Sequence, residues 1–340
     1  MVGPHGHGIS LYVAQLAEGL ASLDLSFEPF YLLHPDCPDG HLLRRLPHRE
    51  VGLRFLEPAE LVGLPGILRG LSPALYHTPS FGSLALYPCP HVQTVHDLNH
   101  LRFGSLPQKA YYRLLLLPSL RRAKAVLSVC ETSAAELRAW LKEHGVEKPV
   151  GVAPNAILPF PAGDDASVLT SFGLRSGEYF FALGNPKPHK NLAMLERAYL
   201  SARAKNPSLV PLALTVPGAT KAGLVRTGPL GDTQVGALLR HARALFSPSL
   251  YEGFGRPPAE AALEGVVPVA SSLPVHREVL EGVPEAIFLA PEQEALWAEA
   301  FLRMADGAGK VSPESRAWIR AHWSVEALAG AMKRVYESNL

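Results

Sequence analysis

At 340 residues the chain is too long for one ordinary core, and two domains of roughly 150 residues each are expected. Its 32 Lys and Arg against 31 Asp and Glu leave a net charge of +1, which argues against a nucleic-acid binder and for a small-molecule or carbohydrate partner. Cys37, Cys89 and Cys130 are odd in number and form no C-x-x-C pair, so three reduced thiols in a cytoplasmic protein are expected rather than a disulfide frame or zinc site.

The first residues, MVGPHGHGIS, lack the apolar core of a signal peptide, and no apolar run reaches the roughly 18 residues that span a bilayer. A soluble protein, at most held at a membrane surface, is expected. The stretch GPHGHGISLYVAQLAEGL (3–20) is a glycine-rich loop running into an amphipathic helix. Gly3, Gly6 and Gly8 do not give G-x-G-x-x-G and no strand precedes them. A flexible start and a ligand loop both fit. The absent first strand implies either a sheet one strand short or a chain start downstream of the true one.

Short apolar runs then alternate with helical patterns. Strands are expected in PFYLLH (29–34), VGLRFL (51–56), ALYH (74–77), HVQTV (91–95), AVLSVC (125–130) and VGVAP (150–154). The second half repeats the scheme with YFFAL (179–183), LVPLALTV (209–216), ALFSPS (244–249), VVPVASS (266–272) and AIFLA (286–290). Helices are expected near 191–205, 232–242, 257–265, 274–281 and 292–306. This alternation predicts two Rossmann-like doubly wound domains with parallel sheets covered on both faces, holding ligand at the carboxyl ends of their strands in a cleft between them. The Pro-, Gly- and Asp-rich stretch LPFPAGDDAS (158–167) marks the boundary. The domains are thus 1–162 and 163–323, followed by a tail helix over 324–340 with Ser324 as N-cap and Val325, Leu328, Met332 and Val335 on one face.

Four stretches carry candidate chemistry. His96 and Asp97 lie at the carboxyl end of a strand in TVHDLNHLRFG (94–104), where ligand contacts gather, although an Asp there also caps the next turn. His77 sits at a similar strand end with nothing gathered around it. LPQKAYYRLLLLPSLRRAKAV (106–126) reads as a helix packed by its leucines, with contact to a membrane surface or lipid acceptor as the alternative. ALGNPKPHKN (182–191) brings Gly184, Lys187, His189 and Lys190 to a strand-to-helix turn, the arrangement of a phosphate clamp. YEGFGRPPAEAALEG (251–265) starts a helix at Pro257 and Pro258, an anion site by its free N–H groups and dipole, yet places Glu252 before it and Glu260 on its first turn. No D-x-D follows a strand, and Asp36, Asp39, Asp164 and Asp165 lie outside any such loop, so no metal and no cofactor are expected.

At EGFGRPPAEAALEGVVPVASSLPVHREVL the chain resembles the retaining glycosyltransferases of family four, its mannosyltransferase-like members in particular, with their E-x7-E motif. VHDLNHLRFG, VLSVCETSAAEL, VAPNAI, LGNPKPHKNLAMLERAY and LLRHARALFSPSLYEGFG follow in the order that family uses. The resemblance implies the GT-B fold, a tail helix crossing back to the first domain, a nucleoside-diphosphate sugar bound by the second domain and an acceptor by the first. It implies that Glu252 accepts hydrogen bonds from sugar hydroxyls and Glu260 from the ribose, which would explain two carboxylates beside an anion site. Pyrophosphate would go to the N–H groups around Phe254 and Gly255 and to Lys190, with Gly184 and Asn185 in the same donor-binding turn. Relatives carry arginine where Asn185 or His189 stands, so one phosphate cation is either missing or supplied by Lys187 or Arg256. A close subgroup reads G-I-G-R-Y-V where this chain has Gly8 to Val13, which leaves donor contact to Gly8 but removes that arginine.

The implied activity is metal-independent, retaining transfer of a hexose from a GDP- or UDP-linked donor to a saccharide or glycolipid hydroxyl, with Lys190, Glu252 and His96 as the catalytic set. Two rivals remain: a glycoside hydrolase using Glu252 and Glu260, and a catalytically weak nucleotide-sugar-binding partner. Oligomeric state is not assigned.

Overall fold

The computed structural model describes residues 8–54, 57–84, 86–220 and 222–340. The chain divides into two compact units, one ending at Ala156 and resumed by Trp323–Leu340, the other Ile157–His322. The break falls ahead of the expected 162. Phe160 already packs in the second unit's core, and its N–H donates to Glu264 Oε1 at 2.8 Å.

The first unit carries β1 (Tyr31–Leu33), β2 (His48–Glu50), β3 (Tyr76–Thr78), β4 (His91–Thr94), β5 (Ala125–Ser128) and β6 (Val150–Val152). β1 and β2 form a parallel pair, and β3, β4, β5 and β6 a parallel sheet in that order. The strand expected at 51–56 instead lies at β2. The pairing ends where the Val51 N–H donates to Leu33 O, and the chain then leaves at Gly52; residues 55 and 56 lie outside the described residues. Among the described residues β1 and β3 each keep one edge without a strand partner, and a mostly apolar slot of about 530 Å³ opens between them.

The helix expected across 106–126 is broken into Leu106–Tyr111, a π turn Tyr112–Leu116 and Leu117–Arg122. Pro118 has no N–H for the Leu114 carbonyl, and the turn widens so that the Leu117 N–H donates to Tyr112 O. Tyr112, Leu116 and Leu120 are buried, whereas Leu106 and Leu114 face solvent. The tail helix Val325–Glu337 is capped by Ser324, whose Oγ accepts from the Ala327 N–H at 3.0 Å. It packs on the helix Gly8–Ala21 at Gly19, where a Cβ would stand 2.6 Å from Ala329 Cβ. Only glycine permits that approach.

His91, 3% exposed at the start of β4, brings Nε2 to 3.2 Å from both Ser119 O and Ser119 Oγ. Burial pushes its pKa down to about 4, with the Ser119 carbonyl opposing and Lys148 adding to the fall. An unfolded histidine takes its proton near pH 6.5, so the unfolded chain gains a proton that the folded one refuses. Stability is therefore expected to drop as pH falls from about 6.5 toward about 4, by up to ~1.4 kcal/mol per pH unit from this residue. Denaturant titrations of the wild type and His91→Gln across that range check it, the variant showing the shallower slope.

The second unit holds β7 (Phe180–Ala182), β8 (Leu212–Leu214), β9 (Leu224–Arg226), β10 (Leu245–Ser247), β11 (Pro268–Ser271) and β12 (Ile287–Leu289). All are parallel, in the order β12-β11-β10-β7-β8-β9. β9 and the helix Pro313–His322 are elements that the sequence pattern did not announce. Phe180, Phe246, Phe301 and Trp297 fill one face of the sheet, with the rings of Phe246 and Phe301 stacked at 4.0 Å. Chain order reverses between β7 and β10. In an open doubly wound sheet the crevice beyond the strand ends at that reversal is the binding position.

Candidate functional site

Both strands at the reversal point lead into the expected motifs. Beyond β7, the Gly184 N–H donates to Thr215 Oγ1 at 2.9 Å and Thr215 Oγ1 donates back to Gly184 O at 2.8 Å, which fixes the turn to the exit of β8. Asn185 is exposed, and its Oδ1 accepts the Lys187 N–H at 3.2 Å, an Asx turn. A single 3₁₀ turn, Pro188–Lys190, follows. The carbonyl of His189 accepts the Leu250 N–H at 2.7 Å and joins this turn to the exit of β10. Asn191 takes a left-handed conformation (φ 54°) with Nδ2 on Pro291 O, turning the chain into the helix Leu192–Lys205.

That joint brings Lys190 to Glu252. Lys190 Nζ donates to Glu252 Oε1 at 2.6 Å, and Ser249 Oγ donates to the same oxygen at 2.6 Å. The pair is largely shielded, with side-chain exposures of 16% and 12%. Burial works to raise the Glu252 carboxyl, but Lys190, His276 and Ser249 outweigh it and hold it below the usual carboxylate range. Glu252 is thus a fixed anion, an acceptor-only group suited to hydroxyls.

Beyond Glu252 the helix Arg256–Leu263 begins with Gly255 as its cap. Gly255 is left-handed (φ 84°), and a Cβ there would lie 2.5 Å from His276 Cδ2. Pro257 and Pro258 occupy the second and third helical positions and carry no N–H, so the amides of this start are those of Gly255, Arg256 and Ala259. The expected anion site is narrower than a full helix turn. Arg256, one of two expected stand-ins for the missing family arginine, points along the helix instead: its Nε and Nη2 each lie 3.0 Å from Glu260 Oε1. Burial raises the Glu260 carboxyl above its ordinary value despite Arg256. Both contacts fall on Oε1.

Of the expected site residues, Gly184, Asn185, Lys190, Glu252, Phe254, Gly255 and Glu260 all belong to the second unit, and Gly8 and His96 to the first. Gly8 opens its helix in the open, with nothing within 4 Å of a Cβ. His96 follows β4, its Nε2 2.9 Å from Pro79 O and its ring edge-on to Tyr12 at 4.8 Å. Asp97 Oδ1 accepts the Asn99 N–H at 2.9 Å, the structural role weighed for it. His77 is held by Thr94 Oγ1 at 2.9 Å and the Tyr336 hydroxyl at 2.6 Å.

Three contributors were not anticipated: Thr215, Ser249 and His276. His276 is fully buried, with Nδ1 donating to Ser271 O at 2.8 Å, which leaves Nε2 as the ring's lone-pair nitrogen; Nε2 has no hydrogen-bond partner. Its only sequence signal was its place in SLPVHREVL, between a strand and a helix of the matched motif. Among the described residues, no group of three or more His, Cys, Asp or Glu side chains gathers as a metal site, and no helix is long and apolar enough to cross a membrane.

Residues 6–159 match the model of Glycosyltransferase Family 4, and residues 182–306 that of the Glycosyl transferases group 1. This chain belongs to glycosyltransferase family four. Among relatives of this family-four chain, the O-antigen chain mannosyltransferase RfbU of Salmonella typhimurium is 28% identical over 224 residues, 61% of this chain and 58% of RfbU. The serotype-specific mannosyltransferase WbdA of Escherichia coli is 24% identical over 286 residues, 74% of this chain and 35% of WbdA. The chain thus spans little more than half of the one relative and about a third of the other. HepE of Anabaena, solved with UDP and glucose, superposes with a TM-score of 0.74 at 16% identity, covering 99% of this chain and 97% of HepE. A sucrose-phosphate synthase of Thermosynechococcus elongatus superposes at 0.73 and 17% identity, covering 99% and 94%. The fold of the family-four chain is GT-B.

Proposed function

We propose that the protein transfers a hexose from a nucleoside-diphosphate sugar, GDP- or UDP-linked, to a hydroxyl of a saccharide or glycolipid, with retention and without a metal ion. The observation that carries this reading is the Lys190–Glu252 pair at the strand-order reversal, beside a glycine-capped helix start. The Lys190 ammonium has three donors, so one on Glu252 leaves two for diphosphate oxygens. Glu252, a fixed carboxylate, takes sugar hydroxyls, and Glu260 takes the ribose through the oxygen that Arg256 does not hold. The donor C1–O bond breaks toward the diphosphate, the acceptor oxygen bonds C1 on the same face, and its proton passes to the leaving phosphate. Lys190 and the Gly255 and Arg256 amides stabilise the charge that develops there. Relatives named as mannosyltransferases support mannose as the sugar. Exposed Phe103, Leu106 and Leu114 near Arg102 and Arg113 support acceptor capture at a membrane surface.

Transfer assayed in excess EDTA, followed by NMR of the product's anomeric coupling, tests the mechanism. Undiminished turnover and an α-linked product from an α-linked donor are expected. Loss of activity restored by Mn²⁺ would remove the metal-free reading, and a β-linked product the retaining one. The two glutamates are expected to separate cleanly in calorimetry. Glu260→Ala should weaken the bare nucleoside diphosphate by about 1.5–3 kcal/mol, one hydrogen bond to a charged acceptor, whereas Glu252→Ala should leave that affinity little changed and lower turnover. Equal losses from both would contradict the division of roles.

A further inference from the structure

Charge at the Lys190–Glu252 site does not balance once a nucleoside-diphosphate sugar is added to it. Lys190 and Glu252 offset one another at 2.6 Å, and Arg256 is turned to Glu260 by two contacts of 3.0 Å. Lys187 is exposed, on the turn that Asn185 closes. The donor brings one negative charge on each phosphate, and the single Lys190 ammonium cannot offset these and Glu252 together.

One buried base is placed to supply a positive charge. The His276 ring is closed off from solvent, its Nδ1–H is spent on Ser271 O at 2.8 Å, and its Nε2 keeps a lone pair with no hydrogen-bond partner. A Gly255 Cβ would lie 2.9 Å from Nε2, so the ring backs the glycine that caps the helix start. A nitrogen sealed in this way is out of reach of a sugar or phosphate oxygen, whereas a proton gains access through brief local opening. Burial pushes the pKa of the ring down and Lys190 adds to the fall, while Glu252 and the Ser271 carbonyl oppose it. The coupling is mutual: against burial, which works to raise the Glu252 carboxyl, His276 stands next after Lys190 among the charges that hold it down. Arg277, beside His276 in sequence, lies over the Phe288 ring at 4.8 Å, and Arg256 is held by Glu260, so Glu252 and Lys190 are the charges that act on the imidazole.

We propose that His276 is a positioning residue that takes one proton from solvent onto Nε2 when a nucleoside-diphosphate sugar binds, and so keeps Glu252 in place as an anion. The inference rests on the reading of this site as a donor site. In the free protein Lys190 neutralises Glu252 and disfavours a second positive charge beside it. A bound diphosphate draws on the Lys190 ammonium, Glu252 is left short of counter-charge, and the negative field of both favours the imidazolium. Glu252 then stays fixed for sugar hydroxyls while Lys190 is shared with the phosphates. Protonation and donor binding reinforce one another, so donor affinity tightens as pH falls from the pKa of the bound ring toward that of the free ring and levels off below it. No bond of the donor changes in this step, and the proton returns to solvent when the nucleotide leaves.

The test is calorimetry of GDP-mannose and UDP-glucose binding, repeated in buffers of different ionisation enthalpy. Neither phosphate of such a diester titrates near neutrality, so a proton taken up on binding goes to the protein. The wild type is expected to take up about half a proton or more per donor bound between about pH 6 and pH 7, with affinity tightening by up to about tenfold per pH unit. His276→Gln and His276→Asn, neither of which titrates, should bind with no uptake and a flat pH profile, whereas His189→Gln, at the other buried histidine near Lys190, should keep the uptake. Nitrogen NMR of the histidine rings in the wild type, before and after donor is added, should show one ring passing from the neutral to the doubly protonated form, which decides the matter even where a variant fails to fold. Binding of either donor with no proton uptake, or uptake lost in His189→Gln and kept in His276→Gln, would overturn the proposal while leaving the donor site standing. Failure of both donors to bind would remove the donor-site reading and this inference together.

Discussion

Lys190→Ala is expected to lower kcat/KM by about 10²–10³-fold, the loss typical when one preorganised donor to a developing oxyanion is removed. It should also destabilise the second unit by on the order of 3 kcal/mol, because Glu252 would be left as a shielded charge with its main counter-ion gone. These two effects are separable. In Lys190→Ala/Glu252→Gln no charge is stranded, so most of the stability should return while turnover stays lost. Lys187→Ala, at an exposed side chain two residues after Asn185, should change kcat/KM far less. Thermal melts and steady-state kinetics on the three variants and the wild type decide it. A larger loss from Lys187→Ala would show that the clamp is built around the Asn185 turn instead.

Gly255→Ala should be damaging for a different reason. The left-handed backbone alone costs an alanine about 1 kcal/mol, and its Cβ would meet a histidine ring pinned by its own bond to Ser271 O. Either the ring or the helix start must move, and both border Glu252. A loss of about 2–4 kcal/mol in stability and at least tenfold in kcat/KM is expected. Adding His276→Ala removes the steric part and should recover some stability, whereas Gly8→Ala, with open space around it, should do little. Full activity in Gly255→Ala would mean that the cap conformation is not required.

What the sequence disclosed and what it withheld divide along range of interaction. Proline pairs, glycine caps and alternation are local, so Ser324 as a cap, the helix at Pro257 and ten of the strands could be placed from pattern alone. β9 is three residues at a sheet edge with only Leu224 buried, and the helix Pro313–His322 buries little beyond Ser315 and Ile319, so neither carries a strong apolar period. The π turn needed the reach of Pro118 back to Leu114, visible only once a helix is built. The pairing of Lys190 with Glu252 spans 62 positions, and the place of His276 beside Gly255 depends on a left-handed residue. Each lone motif named its residues, but the fold alone could say which carboxylate each cation meets.

The excursion of the chain through Ile157–His322 before it returns as Trp323–Leu340 sets an order of assembly during synthesis. The second unit is one uninterrupted segment and completes its sheet as soon as it emerges. The first cannot finish. At about 5–20 residues per second its helix Gly8–Ala21 waits roughly fifteen to sixty seconds for the tail that covers Gly19, with Leu20 and Ala17 on its buried side. A premature stop after residue 322 would therefore release a protein whose second unit is whole but whose first exposes an unfinished apolar face to proteases and aggregation.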